Sequence, residues 1–505
     1  MSYAKTLGIG LVGLTGHVVE VEADLANGLP ALTLAGLPDT ALHEARDRVR
    51  AAIVNSGQAW PNRRITINLL PATLPKHGSS FDVAIALALL ASAGELPPAS
   101  LAGVALLGEL GLDGSVRPVR GALPMVHAAA TAGLRRVVVP LGNAHEAGLV
   151  PGIAVRAADT LRRLVDFVRG AAPLLAAPAP PEDAGASGPD LADVVGQGLG
   201  RRALEVAAAG AHHLALVGPP GAGKTMLAQR LPSVLPALTD DEALEVTAVH
   251  SVAGVLPAGA GLVRRPPYQA PHHTASMPAL VGGGSGLARP GAISLAHRGV
   301  LFLDEAPEFS ARVLEALRQP LEDGYVCLAR AGGLTQYPAQ VQLVLAANPC
   351  PCAKPGGDHL CECSPLVRRR YLARLSGPLL DRIDLRVRLR PVTAADLLHD
   401  RVAGEPSAAV AERVAKARAL ASARWCGQPW CTNAQVPGGA LRGRFRLPRA
   451  VTEPLRRPLE AGSLSARGYL RVLRLAWTVA DLDGRDGPQA EDVHEAYELR
   501  MGDAL

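Results

Sequence analysis

Eight consecutive residues, Gly218-Pro219-Pro220-Gly221-Ala222-Gly223-Lys224-Thr225, carry the strongest chemical signal in the chain. Glycines at these positions let backbone N–H groups wrap phosphate oxygens, and a helix that follows points its positive end at them. Lys224 would then reach the β- and γ-phosphates of a nucleotide and Thr225 would ligate Mg²⁺. A glycine turn opening a helix gives a similar string without chemistry. Here, however, apolar HLALVG precedes the loop and helical TMLAQRLPSVL follows it, which is the strand–loop–helix setting that phosphate binding needs. Further on, Val300-Leu301-Phe302-Leu303 delivers Asp304 and Glu305 to the end of a second buried strand. Asp304 suits the Mg²⁺ shell and Glu305 the attacking water. Asn348 closes a third apolar run, VQLVLAAN, where it is placed to polarise that water or to sense the γ-phosphate.

A second constellation follows at once. Cys350-Pro-Cys352 and Cys361-Glu-Cys363 supply enough thiolates for one tetrahedral Zn²⁺ site, although the spacing within each pair is tighter than the common C-x₂-C. Reduced loop thiols without metal are the other reading. A zinc ion here would stiffen the loop after Asn348 and perform no chemistry.

These residues need elements to hold them. At 505 residues the chain is long enough for two to four domains, each with its own core. Residues 1–170 alternate β-like runs such as HVVEVEADL and RRITINLL with the helical DVAIALALLASAG, which predicts an α+β domain. Residues 171–190 are rich in Pro, Ala, Gly and acidic residues and read as a linker. The runs HLALVG, GVLFLDE and VQLVLAANP predict a parallel sheet flanked by helices, an α/β P-loop core over 191–393. From 394 to 505 helical patterns dominate and predict a small helical lid.

Composition excludes more than it selects. The formal charge of +5 is small for this length and makes no case for nucleic acid by itself. Only five of the 51 basic residues are lysine, so a lysine inside a phosphate loop stands out. No apolar stretch reaches the roughly 18–20 residues that span a bilayer, and the N-terminus lacks a signal-peptide pattern, so the expectation is a cytoplasmic protein without membrane contact.

Over 196–308 the strings EVAAAGAHHLALVGPPGAGKTMLA, APHHTASMPALVGGGS and PGAISLAHRGVLFLDEAPEF, with NPCPC, SGPLLDRIDL and LSARGYLRVLRLAWTVADLDG further on, resemble the magnesium-chelatase-like AAA+ ATPases of the YifB/ComM group. The resemblance covers nearly the whole chain. It implies ATP and Mg²⁺ as ligands and a homo-oligomeric ring, a hexamer, with active sites between subunits. It also implies that Arg382 serves as an arginine finger for the neighbouring subunit and Arg467 as a second sensor reaching ATP from the lid. Either arginine could instead sit in a surface ion pair. The stretch holding Arg264, Arg265, His272, His273 and a glycine run is similar to the family's pore-facing insertion, and ARAGGLTQYPAQ, with Arg330 near its start, reads as a hairpin. Both could touch DNA phosphate.

The N-terminal domain resembles the protease domain of Lon, a ribosomal S5 domain 2-like fold, through KHGSSFD and GELGLDGSVRPVRGALPMVHAA. Ser80 falls on the nucleophile position, but the lysine position falls on Leu123, and a serine without its base is a weak nucleophile. The expectation is a retained fold without peptidase activity. For the chain as a whole, the resemblance implies a helicase that drives branch migration on single-stranded or branched DNA during natural transformation. The alternative is a chelatase-type or protein-remodelling ATPase that acts on a protein partner.

Overall fold

The computed structural model describes residues 2–36, 44–74, 76, 78–179, 188–284, 288–330, 333–354, 361–392 and 404–502. The middle of the expected 171–190 linker and the 393/394 boundary lie outside the described residues.

Strands β1 (Tyr3–Val12) and β2 (Thr15–Ala26) form a long antiparallel hairpin. Alternation in β2 buries Val19, Val21, Ala23 and Leu25 on one face, as a half-covered strand requires. Chain order then adds β3 (Ala31–Ala35), β4 (Arg64–Leu70), β5 (Val104–Leu106), the small hairpin β6 (Glu109–Leu110) with β7 (Val116–Arg117), β8 (Arg136–Pro140), β9 (Ala154–Ala158) and β10 (Leu175–Ala176). Eight of these make one mixed sheet in the order β10-β9-β8-β5-β1-β2-β4-β3. Edge strand β10 lies inside the segment whose composition reads as linker. Every residue of the helix Asp82–Ser92 is buried, and Phe81, just before it, seats its ring against β1. Only glycine fits opposite: a Cβ on Gly8 would stand 2.7 Å from that ring.

The second half is built on a sheet of β11 (Leu214–Val217), β12 (Tyr268–Gln269), β15 (Val300–Leu303), β18 (Gln342–Ala347) and β19 (Leu385–Arg388). Their order is β12-β15-β18-β11-β19 and each neighbouring pair is parallel. Strands β11, β15 and β18 are buried throughout, which explains their unbroken apolar runs. Two hairpins leave this sheet: β13 (Gly282–Gly283) with β14 (Arg289–Pro290), and β16 (Tyr325–Arg330) with β17 (Gly333–Pro338). Helices Ser407–Arg424, Ala466–Leu482 and Ala490–Met501 form the C-terminal region, whose Val414, Trp425, Val472 and Leu499 share a core with the sheet.

The two halves pack together. Helix Ala122–Thr131 lies along helix Asp240–Ala253, where Ser251 donates to the Glu146 carboxylate, which also accepts from the Leu123 amide at 2.9 Å. Ala248 joins the core of Ile9, Leu123 and Val126. At the β1–β2 turn, a Cβ on Gly13 would touch the β17 backbone at Gln336 O, 3.0 Å away. Among the described residues no helix is long and apolar enough to cross a membrane.

Phe81→Ala should destabilise the N-terminal domain by about 3–5 kcal/mol, the usual cost of emptying a fully buried aromatic site. A urea titration following the N-terminal transition checks this, and a midpoint equal to wild type would contradict the packing described.

Candidate active site

Because the sheet is parallel, β11, β12, β15 and β18 release their following residues along one edge, and the chemistry gathers there. After β11 the chain turns at Gly218, whose amide donates to Ala347 O of β18 at 3.1 Å. A Cβ on Gly218 would stand 2.9 Å from Leu389 O, so the close approach demands glycine. Gly221 and Gly223 adopt left-handed φ values of 78° and 83°. Helix Lys224–Val234 starts directly behind Gly223 with no side-chain cap, and its first-turn amides face the loop that would hold phosphate.

Lys224 is buried, and its ammonium donates to Gly218 O at 2.6 Å, Pro219 O at 2.9 Å and Asn348 Oδ1 at 3.0 Å. Burial lowers its pKa, while the charges of Asp304 and Glu305 work against that shift. Thr225 Oγ1 donates to Asp304 Oδ2 at 2.8 Å, so hydroxyl and carboxylate are already paired where a hard cation between them would take oxygen ligands. Asp304 Oδ1 accepts from the Glu305 amide at 2.9 Å and holds Glu305 in a left-handed conformation, φ 49°. The four strand-end residues expected to act together, Lys224, Asp304, Glu305 and Asn348, do converge.

One neighbour was not anticipated in its place. His273, expected on a DNA-facing loop, puts Nδ1 3.3 Å from Glu305 Oε2. No local sequence pattern signals such a contact. It follows from β12 and β15 running parallel, so that the chain leaving β12 passes the end of β15.

Arg382 and Arg467 stand apart from this cluster. Arg382 pairs with Glu322 and donates to Pro378 O at 2.7 Å, with its Nε buried and unpaired. Arg467 is exposed on the first turn of helix Ala466–Leu482, which Ser465 caps through the Gly468 amide at 3.0 Å. A buried network joins the segments that carry them. Asp384 takes the His213 amide at 3.1 Å and an ion pair from Arg471, while His212 Nε2 lies 2.7 Å from Thr478 Oγ1 on the same helix. Burial alone would raise the Asp384 pKa, but Arg471 and then His212 hold it well below the usual carboxylate range.

Past Asn348, the Sγ atoms of Cys350, Cys352, Cys361 and Cys363 lie within 4.8 Å of one another. Three of the separations are 3.0, 3.2 and 3.5 Å. Tetrahedral zinc with bonds of about 2.3 Å wants sulfurs about 3.8 Å apart, so the four thiols fit that ion with small adjustment. Burial pushes the Cys350 thiol up to about 12, while Cys350 itself and the Lys354 amide draw Cys352 down to about 6. Helix Pro365–Leu372 follows, and its Tyr371 hydroxyl meets the backbone of Asn348.

Comparison with known proteins now has a geometry to explain. The sequence profile of magnesium chelatase subunit ChlI matches residues 190–397, a second ChlI profile matches 21–143, and the ChlI C-terminal profile matches 404–500. An uncharacterized protein of Mycobacterium tuberculosis is 53% identical over 501 residues, 99% of either chain. YifB of Escherichia coli is 42% identical over 495 residues, 98% of this chain and 96% of its own. Competence protein ComM of Haemophilus influenzae is 42% identical over 489 residues, 96% of this chain and 94% of its own. The chain belongs to the YifB/ComM family of magnesium-chelatase-like AAA+ ATPases. That membership implies ATP with Mg²⁺ as the substrate, consistent with the Thr225–Asp304 pair.

In this YifB/ComM chain, the N-terminal domain is also similar to a Lon protease of Mycolicibacterium smegmatis, 31% identical over 159 residues. Ser80 is buried, and Leu123 is fully enclosed in the core. Lys76, nearest in sequence, donates to Leu69 O at 2.9 Å and to Pro71 O, and so serves as a backbone clamp. Of the insertion residues, Arg264 is engaged with Asp240 at 2.6 Å, and Arg265 and His272 are exposed. The Arg330 side chain lies outside the described residues.

Asp384→Asn should cost about 3–5 kcal/mol, since it leaves the Arg471 guanidinium without its charge partner. The sign with pH follows from the depressed pKa. The carboxylate's contribution is complete above the ordinary Asp range and fades as pH falls through its lowered folded value. The variant should therefore melt lower at neutral pH and lose less on acidification than wild type, which thermal scans across pH measure.

Proposed function

We propose that this AAA+ ATPase is a hexameric DNA motor, a helicase that promotes branch migration during natural transformation and recombination. The observation that carries the proposal is the convergence of Lys224, Thr225, Asp304, Glu305 and Asn348 at one sheet edge, with an exposed loop in direct contact with Glu305. In this reading Lys224 and the Gly218–Thr225 loop bind the triphosphate, Thr225 and Asp304 ligate Mg²⁺, Glu305 orients the attacking water and Asn348 senses the γ-phosphate. Arg382, tied to Glu322 and away from its own phosphate loop, suits a finger that acts on the neighbouring subunit. Arg467, exposed on the lid helix, suits a residue that closes onto nucleotide. DNA as the partner is supported by the 42% identity to a competence protein over nearly the full length. The family profiles named for magnesium chelatase favour a second reading, a chelatase-type ATPase acting on a protein partner. The Lon-like domain weighs for the motor, because the chelatase subunit is expected to lack it. The residues proposed for each domain are 1–170, 171–190, 191–393 and 394–505.

Lys224→Ala should abolish turnover together with nucleotide affinity, whereas Glu305→Gln should abolish turnover and keep ATP bound. Steady-state hydrolysis and fluorescent-nucleotide binding separate the two, and wild-type turnover in either variant would remove the site assignment. Turnover of the wild type should rise with single-stranded or branched DNA, and binding should weaken steeply with salt as counterions are released. Stimulation by a protein partner and indifference to DNA would favour the second reading.

The four cysteines are proposed to hold one structural Zn²⁺ that fixes the loop after Asn348. Purified protein should carry about one zinc per chain by elemental analysis. Cys350→Ser with Cys363→Ser should lose it and reduce turnover more than ATP affinity.

A further inference from the structure

His273 is the one side chain outside the proposed catalytic set that reaches Glu305, and the segment around it is organised as an arm with a fixed root and a free face. The root is β12, paired to β15 through Tyr268↔Val300 and Gln269↔Leu301, with the Tyr268 and Phe302 rings stacked at 6.1 Å. Just beyond it, His272 is pinned in a turn. Its Nδ1 lies 2.8 Å from Thr274 Oγ1 and accepts the Thr274 amide at 3.3 Å, and its carbonyl takes the Ala275 amide at 2.8 Å. The His272 and His273 rings lie face to face, centroids 4.1 Å apart and planes tilted 33°. His273 is thus held between a fixed neighbour and the Glu305 carboxylate.

The far end of the arm faces solvent. Ser276, Met277, Pro278 and Ala279 are exposed, whereas Leu280 and Val281 anchor the next turn in the core beside Ile293 and Leu303. Whatever seats on 274–279 therefore pushes against a segment fixed at both ends, and the displacement reaches His273. Glu305 has little freedom of its own. Its backbone is set in the left-handed region by the bond from its amide to Asp304, so the side-chain rotamer is the remaining variable. While the imidazole holds Oε2, one carboxylate oxygen is withheld from the attacking water.

We infer that His273 is a positioning residue that restrains Glu305 in the resting subunit, and that the exposed 274–279 segment is the arm whose occupation releases it. The inference deepens the proposed function, on which the identity of the occupant, a DNA strand, rests. It differs from the expectation for these histidines, which was direct contact with DNA phosphate. His273 instead faces inward to the catalytic acid, and the exposed residues after it meet the ligand.

The test compares full-length wild type, His273→Ala and His273→Asn. Without DNA, H273A should raise kcat about two- to fivefold, the range that a partly exposed charge contact can hold back, with KM for ATP unchanged. A single-stranded oligonucleotide should then add little to H273A. H273N, which keeps an N–H donor at similar reach, should return the basal rate towards wild type, which a merely structural histidine would not do. A readout independent of turnover is amide hydrogen exchange, which should quicken over 272–281 and 304–308 in H273A without any ligand. A basal kcat at or below wild type in H273A with unchanged melting, or exchange identical to wild type, would overturn the restraint. Should wild-type turnover prove indifferent to DNA, the DNA reading fails, and the restraint is still judged on the basal kcat and exchange of H273A.

Discussion

The constraint on which everything else depends is that β12, β15, β18, β11 and β19 run parallel, so that every strand ends at the same edge. A strand buried on both faces cannot carry polar side chains along its length, so the polar residues come after the last apolar one. Asp304 follows Leu303 and Asn348 follows Ala347, and the register Leu303↔Leu345 keeps the two ends level. Lys224 closes the group because β11, between β18 and β19, sends its loop back over the same edge. The cluster needs no special folding device beyond the sheet itself.

Holding the lid against that sheet is a separate task, and a buried polar network does it. Asp384 lies two residues after Arg382 and pairs with Arg471, one helical turn after Arg467. The network continues through Thr478 to Asn433 at 3.0 Å and on to Asp481 and Arg424. Polar groups this deep are costly unless every member is satisfied, and a satisfied network fixes one arrangement of its elements. The proposed finger and the proposed sensor are therefore mounted on one rigid joint, so that lid movement about bound nucleotide is transmitted to the surface that would face the next subunit.

What the sequence made legible follows the same division. The P-loop, Asp304, Glu305 and Asn348 are readable because their chemistry is local: each sits at the end of an apolar run that names its own strand. Edge strand β12 is only Tyr268–Gln269, too short for any periodicity, and β10, Leu175–Ala176, is hidden in a stretch composed like a linker. The Arg471–Asp384 pair spans 87 positions, and the His273–Glu305 contact also joins separate strands, so neither leaves a spacing to read. Histidines and arginines on a glycine-rich loop look like a solvent-facing set. Only the fold shows that Arg264 is taken by Asp240 and that His273 faces the catalytic acid.

The N-terminal domain illustrates how a fold outlasts its chemistry. Its serine lacks a base at Leu123, yet Leu123 still serves: its amide anchors Glu146, which receives Ser251 from the ATPase half. Ser251 belongs to helix Asp240–Ala253, whose Glu245 lies 3.0 Å from His297 Nε2 and 3.3 Å from Arg298 Nη2, immediately before β15. Hydrogen bonding from His297 and the charge of Arg298 hold the Glu245 carboxylate below its ordinary range, as expected of a committed anchor. A continuous set of packed and charged contacts thus runs from the Lon-like domain to the strand that ends in Asp304 and Glu305. A domain on a flexible tether would need none of these contacts. Their presence argues that the N-terminal domain was kept as a brace for the catalytic strand, in a position to respond when the motor moves.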